Sequence, residues 1–188
     1  MQNIPSSPCF LGGLLLACTL LLTACNGAGT PAPGKQDGGN DTGPAPSAAE
    51  TRMLQAVNSA RATARKCQGK DFAAASALAW NGLLGNAARA HAQDMAARDY
   101  FAHVSLGGGT MTMRVEAAGY TDWKNLGENI AAGYSDTQIS EVMTAWLESK
   151  TGHCEALMNS QFREVGFGYA PATGGQYNAY WVQDFGTR

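Results

Sequence analysis

The sequence predicts an α+β domain, and three observations carry that prediction. Apolar residues recur at helical spacing through most of the middle of the chain. Two alternating segments joined by a Gly174-Gly175 turn close it, and no strand–helix–strand alternation links the two regions. Helices first and strands later imply helices packed on a mainly antiparallel sheet.

The folded part opens at Ser47-Ala48-Ala49-Glu50, a capping-box sequence, and Leu54, Val57 and Ala64 predict a first helix reaching about Lys66. Cys67 and Gly69 close it. Asn81 is suited to cap a second helix in which Leu84, Ala87, Ala88, His91 and Met95 share one stripe that ends near Arg98. Thr110 is placed to cap a short third helix with Met111, Val115 and Ala118 on one face and Gly119 after its end; Arg114 and Glu116 on it read as solvated surface. Ser135 and Gln138 suggest another capping box, ahead of Ile139, Val142, Met143, Trp146 and Leu147 at i, i+3, i+4, i+7, i+8. Gly152 breaks that helix, and His153 begins a short helical segment through Met158. Residues 164–170 and 179–185 read as a terminal β-hairpin.

One stretch stands apart. Residues 125–134, NLGENIAAGY, place a single carboxylate, Glu128, among small apolar residues and glycines. A buried acid requires a cation, a donor network or a proton. Three histidines are available to it. His91, inside an apolar stripe, reads as a core histidine satisfied by a carbonyl; His103, in the loop after Tyr100-Phe101-Ala102, and His153, at a helix break, are placed where sites tend to lie.

The 188-residue chain has a formal net charge of −2 with its Lys and Arg scattered, which excludes an electrostatic footprint for nucleic acid. Residues 10–24 form an apolar run of signal-peptide length, too short for a comfortable membrane span, and end in Leu22-Thr23-Ala24-Cys25. That ending resembles a bacterial lipobox, with Cys25 as the acylated residue, although no Lys or Arg precedes the run. An ordinary signal peptide or a helical anchor, with Cys25 incidental, is the alternative. Residues 26–47 are Gly, Pro, Ala, Thr and small polar residues, a tether spanning roughly 25 Å as a coil. The expected organisation is therefore a signal at 1–24, a tether at 25–47 and a domain at 48–188. The expected location is the cell envelope, by a lipid anchor in a membrane, which is the outer one if the source is Gram-negative (Asn26 is compatible with that sorting), or the secreted fraction.

With Cys9 and Cys18 in the signal and Cys25 at the lipobox, Cys67 and Cys154 remain in an exported domain, where a disulfide is the simplest use for two cysteines. The competing reading makes Cys154, beside His153, a nucleophile. Neighbouring side chains on a helix diverge, and that reading leaves Cys67 unexplained.

Taken together and in this order, several motifs resemble the CAP superfamily (cysteine-rich secretory proteins, antigen 5 and pathogenesis-related 1; the SCP domain) in its bacterial branch. They are Leu78-Ala79-Trp80-Asn81, Ala90-His91-Ala92-Gln93-Asp94-Met95, Tyr100-Phe101-Ala102-His103, Arg114 with Ala118-Gly119-Tyr120, Gly127-Glu128-Asn129-Ile130-Ala131, Trp146 with Ser149, Gly152-His153-Cys154 and Phe162-Arg163-Glu164-Val165-Gly166-Phe167-Gly168. The resemblance implies a three-layer α-β-α sandwich and a cleft of His103, Glu128 and His153. In eukaryotic members a Glu lies three residues after the helix Trp; here Ser149 stands there, one residue after Glu148.

Two imidazoles, His103 and His153, are suited to hold zinc or another divalent cation, with Glu128 as ligand, water holder or base. Nothing resembles HExxH or a nucleophile elbow. The expected function is a monomeric, lipid-anchored domain whose cleft of His103, Glu128, Ser149 and His153 binds a small molecule or lipid, with or without a divalent metal. A metal-dependent, peptidase-like hydrolase with Glu128 as its catalytic group is the alternative, and a purely structural His–Glu network is the third reading.

Overall fold

The structure is a computed structural model that describes residues 43–188. The apolar run, Cys25 and most of the tether lie outside the described residues. In chain order the elements are α1 (Ala48–Arg61), β1 (Arg65–Cys67), β2 (Lys70–Phe72), β3 (Ala79–Trp80), α2 (Gly82–Arg98), α3 (Met111–Ala117), β4 (Asn125–Ala132), α4 (Ile139–Leu147), α5 (His153–Met158), β5 (Glu164–Pro171) and β6 (Ala179–Thr187). Four strands form the central sheet in the order β3-β5-β6-β4, parallel between β3 and β5 and antiparallel elsewhere, as the hairpin and the absent strand–helix–strand units predict.

Alternation along the strands builds two cores. On one face Val165, Phe167, Trp181 and Phe185 of the hairpin, with Ala131 of β4, pack with residues of α1, α4 and α5, among them Val57, Val142, Trp146 and Leu157. On the other face Ile130, Tyr180 and Val182 pack with Ala88, Ala92 and Met95 of α2. Glycine makes the second contact close. A Cβ at Gly166 would lie 2.0 Å from the Gly85 nitrogen and 2.2 Å from the Leu84 carbonyl carbon, so α2 rests directly on β5.

The cap at Ser47 forms as expected, with Glu50 N–H donating to Ser47 Oγ at 3.3 Å and Ser47 N–H to Glu50 Oε2 at 2.7 Å. The helix, however, ends at Arg61 rather than near Lys66. Arg65, Lys66 and Cys67 pair instead with Phe72, Asp71 and Lys70, across a two-residue turn in which Gln68 (φ 49°) and Gly69 (φ 82°) both adopt positive φ. That is the backbone of the primed turns that suit hairpins. Arg61 stays at the break, fully buried, donating to the carbonyls of Ser76, Leu157 and Asn159 at 2.9, 2.6 and 3.0 Å.

At α4 only half of the expected capping box is present. Ser135 N–H donates to Gln138 Oε1 at 3.0 Å, but Gln138 is itself the cap residue and accepts no side-chain cap bond. The tether also joins the fold earlier than expected. Trp80 Nε1–H donates to the Pro44 carbonyl at 2.9 Å and Arg89 to the Ala45 carbonyl at 3.2 Å, while the same guanidinium grips both oxygens of Glu50 at 2.7 and 2.6 Å. Residues 43–46 therefore lie along the N-terminus of α2 at the β3 edge of the sheet.

Cys67 and Cys154 are bonded, with Cα atoms 5.5 Å apart, both buried in the first core. Asn81 caps α2, accepting from the N–H groups of Leu83 and Leu84, and its amide donates to Glu164, which also receives the Tyr120 hydroxyl at 2.7 Å.

Candidate functional site

β4 pairs only with β6, so it is an edge strand, and the helical layers on the two faces both reach round it. From the α2 side comes the loop carrying His103; from the other comes α5, which begins with His153. Glu128 lies on β4 between them.

The Glu128 carboxylate is almost completely buried, its side chain 3 % exposed, and both oxygens are used. Oε1 accepts from His103 Nδ1 at 2.7 Å and Oε2 from Arg114 Nη2 at 2.6 Å. Burial alone pushes this carboxyl up. The His103 bond and the Arg114 charge outweigh it and hold the group below the ordinary carboxylate range. Since an ionised carboxylate only accepts, His103 carries its proton on Nδ1, and in the neutral ring Nε2 is left as a lone pair with no hydrogen-bond partner among the described residues. The His103 side chain is half-exposed, at 51 %.

Arg114 corrects the expectation of a solvated surface residue. Its side chain is 12 % exposed. Beyond Glu128 it donates to the carbonyls of Gly109 at 3.0 Å and His103 at 3.2 Å, so one guanidinium ties the loop to the edge strand. Five donors in a rigid fork suit it to that work. The signal was present in the sequence: Arg114 lies three residues after Met111 and four before Ala118, beside the apolar stripe of its helix.

His153 is fixed from three sides. Gly152, at φ 95°, turns the chain into α5; Cys154 is bonded to Cys67; and the Asn129 amide donates to the His153 carbonyl at 3.1 Å. Burial first, and His103 second, lower its affinity for a proton. The two rings lie 6.1 Å apart between centroids, tilted by 55°. The Ser149 hydroxyl and that of Thr151 bond each other at 2.9 Å within the α4–α5 connection, and no hydrogen bond links Ser149 to either ring.

His91 is a core histidine, as expected, fully buried with Nε2–H donating to the Ala102 carbonyl at 2.9 Å. Burial, then the nearby Arg114 charge, push it below the usual imidazole value. A group that is neutral when folded but takes a proton near pH 6.5 when unfolded costs stability as the pH falls through about 6.5. We expect the denaturation midpoint to drop on acidification through that range and His91→Gln to flatten the drop. His153, shifted the same way, leaves a residual slope.

Sequence reasoning missed Asp184 altogether. It lies on β6 directly opposite Glu128, fully buried, and neither oxygen has a partner in the structure. Burial, and then the adjacent Glu128 charge, raise its carboxyl well above the ordinary range. An acid at the position of an alternating strand that shares a face with Tyr180 and Val182 was the available signal.

For a divalent cation, the donors that fit are His103 Nε2 and the His153 ring. A carboxylate on the far nitrogen of a ligating histidine is a common arrangement, and Glu128 supplies one. Among the described residues no group of three or more His, Cys, Asp or Glu side chains is arranged to hold a metal ion, so solvent or a ligand would complete the set.

The comparisons bear on the whole domain. A family model described as "CAP: Cysteine-rich secretory protein family" matches residues 54–185. An uncharacterized membrane protein of Bacillus subtilis, YlbC, is 37% identical over 91 residues, covering 48% of this chain and 25% of its own length. A second B. subtilis protein, the uncharacterized YkwD, is 34% identical over 102 residues, 54% of this chain and 36% of its own. The chain thus spans about a quarter to a third of these curated relatives. Among solved structures, an extracellular SCP-domain protein of Bacillus anthracis matches with a TM-score of 0.58 and 26% identity, covering 74% of this chain and 40% of that one. An outer surface protein of Borrelia burgdorferi matches at 0.58 with 21% identity, over 73% and 91% of the two chains, a likeness of fold.

Proposed function

Since the chain belongs to the CAP family of cysteine-rich secretory proteins, we propose that it is an exported binding domain whose His103–Glu128–His153 cleft takes a small ligand. The observation that carries this reading is the Glu128–His103 pair: a buried carboxylate is spent on orienting a half-exposed imidazole whose remaining nitrogen is left without a partner among the described residues. A network serving only stability has no need to leave that lone pair uncommitted. Export accords with the Cys67–Cys154 disulfide and with the extracellular and outer-surface relatives. The sequence Leu22-Thr23-Ala24-Cys25 after the apolar run supports lipid attachment at Cys25.

The surroundings suit a ligand with an apolar part. The exposed large apolar side chains among the described residues, Phe101, Val104, Leu106 and Met113, all fall in the segment around His103. A hollow of about 440 Å³ on the neighbouring surface of β4 and α5, lined by Leu126, Gly127, Glu155 and Phe162 among others, is of a size for a small organic molecule.

The two imidazoles are proposed to hold a divalent cation such as zinc, which when bound would polarise a ligand oxygen or acidify a bound water. A hydrolase is the second reading, favoured by the same His103 lone pair, which Glu128 keeps in the base-competent tautomer. Calorimetric titration of the disulfide-intact protein with zinc tests both. Uptake near one equivalent, lost in His103→Ala and in His153→Ala, is the expected result. A folded protein that takes up no zinc ends the metal and hydrolase readings together and leaves ligand binding without metal, to be read by lipid-binding assays.

A further inference from the structure

Behind the cleft, β6 places a second carboxyl against the first. Glu128 and Asp184 are directly opposed in the antiparallel register, where Cβ atoms lie about 4.5–5.5 Å apart, and both side chains point to the α2 and α3 layer. Gly166 flanks Asp184 on β5, and α2 rests on that glycine at Leu84 and Gly85, closing the space above the acid to water. Asp184 is completely buried.

Charge around the pair does not balance if both acids ionise. Facing them are Arg114 from α3, a single positive charge already engaged with Glu128, and His91 from α2. His91 has its Nε2–H on a carbonyl and, being buried, is neutral. One carboxylate is compensated; a second would be an unpaired buried charge, which costs several kcal/mol. Donors decide which acid keeps its charge. Glu128 accepts from His103 and Arg114, whereas Asp184 has no donor near either oxygen. A proton on Asp184 gives it one hydrogen bond to donate. Glu128, with about four acceptor positions on its two oxygens, has room to receive it.

We propose that Asp184 is a protonated acid that donates to Glu128 and is thereby a positioning residue of the cleft, fixing the plane of the carboxylate that orients His103. The inference deepens the reading of the cleft as a binding site, because it assigns what keeps the Glu128–His103 pair in place from behind. The direction in which burial and the Glu128 charge move the Asp184 carboxyl agrees with it.

The test uses the full chain and needs neither ligand nor metal, so it stands or falls apart from zinc uptake. Carbon-detected NMR of protein labelled at its Asp carboxyls should show one resonance, absent from Asp184→Asn, that remains in the protonated range at neutral pH. Nitrogen NMR of the His103 ring, in mildly alkaline solution, should report the Nδ1–H tautomer in the wild type. Asp184→Asn, whose amide still donates, should keep that tautomer; Asp184→Ala should shift the ring toward a mixture. An Asp184 resonance that titrates with the exposed acids overturns the proposal, as does a His103 tautomer unaltered in a folded Asp184→Ala. Should the alanine variant fail to fold, the wild-type resonance and the asparagine variant still decide.

Discussion

Replacing Cys154 by Ser, or reducing the disulfide, is expected to lower the unfolding free energy by roughly 4 kcal/mol, on the chain-entropy account of a loop of this length. The bond closes a separation of 87 residues and joins the end of β1 to the first turn of α5. Both cysteines are buried in the core, so little of the effect should come from exposed surface. Urea denaturation of the oxidised protein beside Cys67→Ser/Cys154→Ser checks it. If the two imidazoles hold zinc as proposed, the same variant should also weaken its uptake, because His153 precedes the bonded residue. A double variant with an unchanged midpoint would mean that packing alone sets the position of α5.

Arg114→Ala is expected to cost about 3–5 kcal/mol, the range for removing one partner of a buried ion pair. The loss has two parts: the ionised Glu128 loses the guanidinium that bonds it and compensates its charge, and the Gly109 and His103 carbonyls lose their donor. The pH dependence carries a sign. Glu128 is held below the ordinary carboxylate value when folded, so its contribution is present above that value and fades as the pH falls through the depressed one. Without Arg114 the fading should begin at higher pH. Acid denaturation profiles of the two proteins, compared by circular dichroism, check the direction. A variant as stable as the wild type would show that the guanidinium is replaced by water at no cost.

Much of the fold was legible because local signals agreed with tertiary need. Asn81 and Thr110 cap the helices expected of them, the stripe from Leu84 to Met95 is buried, and the terminal hairpin forms where alternation and the Gly174-Gly175 turn suggested. The first helix was overextended because Ala64 and Lys66 fit its period. What ended it was the pairing of β1 with β2 through a Gln68-Gly69 turn, whose first residue is an uncommon choice for positive φ.

In the site, Glu128, His103 and His153 were legible, since an acid amid apolar neighbours and histidines at chain breaks are locally conspicuous. Arg114 and Asp184 left only faint signals, a place beside an apolar stripe for one and within an alternating strand for the other. Each completes the site only through a contact between elements distant in sequence, and on its own element each passes for an ordinary surface residue or a minor break in alternation.

The two edges of the central sheet have opposite duties. The N-terminal segment meets the domain along β3, where Trp80 and Arg89 clasp Pro44 and Ala45. His103 and His153 meet across β4, three strand spacings away, about 14 Å at sheet level. The segment that leads into the domain and the paired imidazoles therefore occupy opposite edges of one sheet, and residues 43–46 leave the β4 edge uncovered.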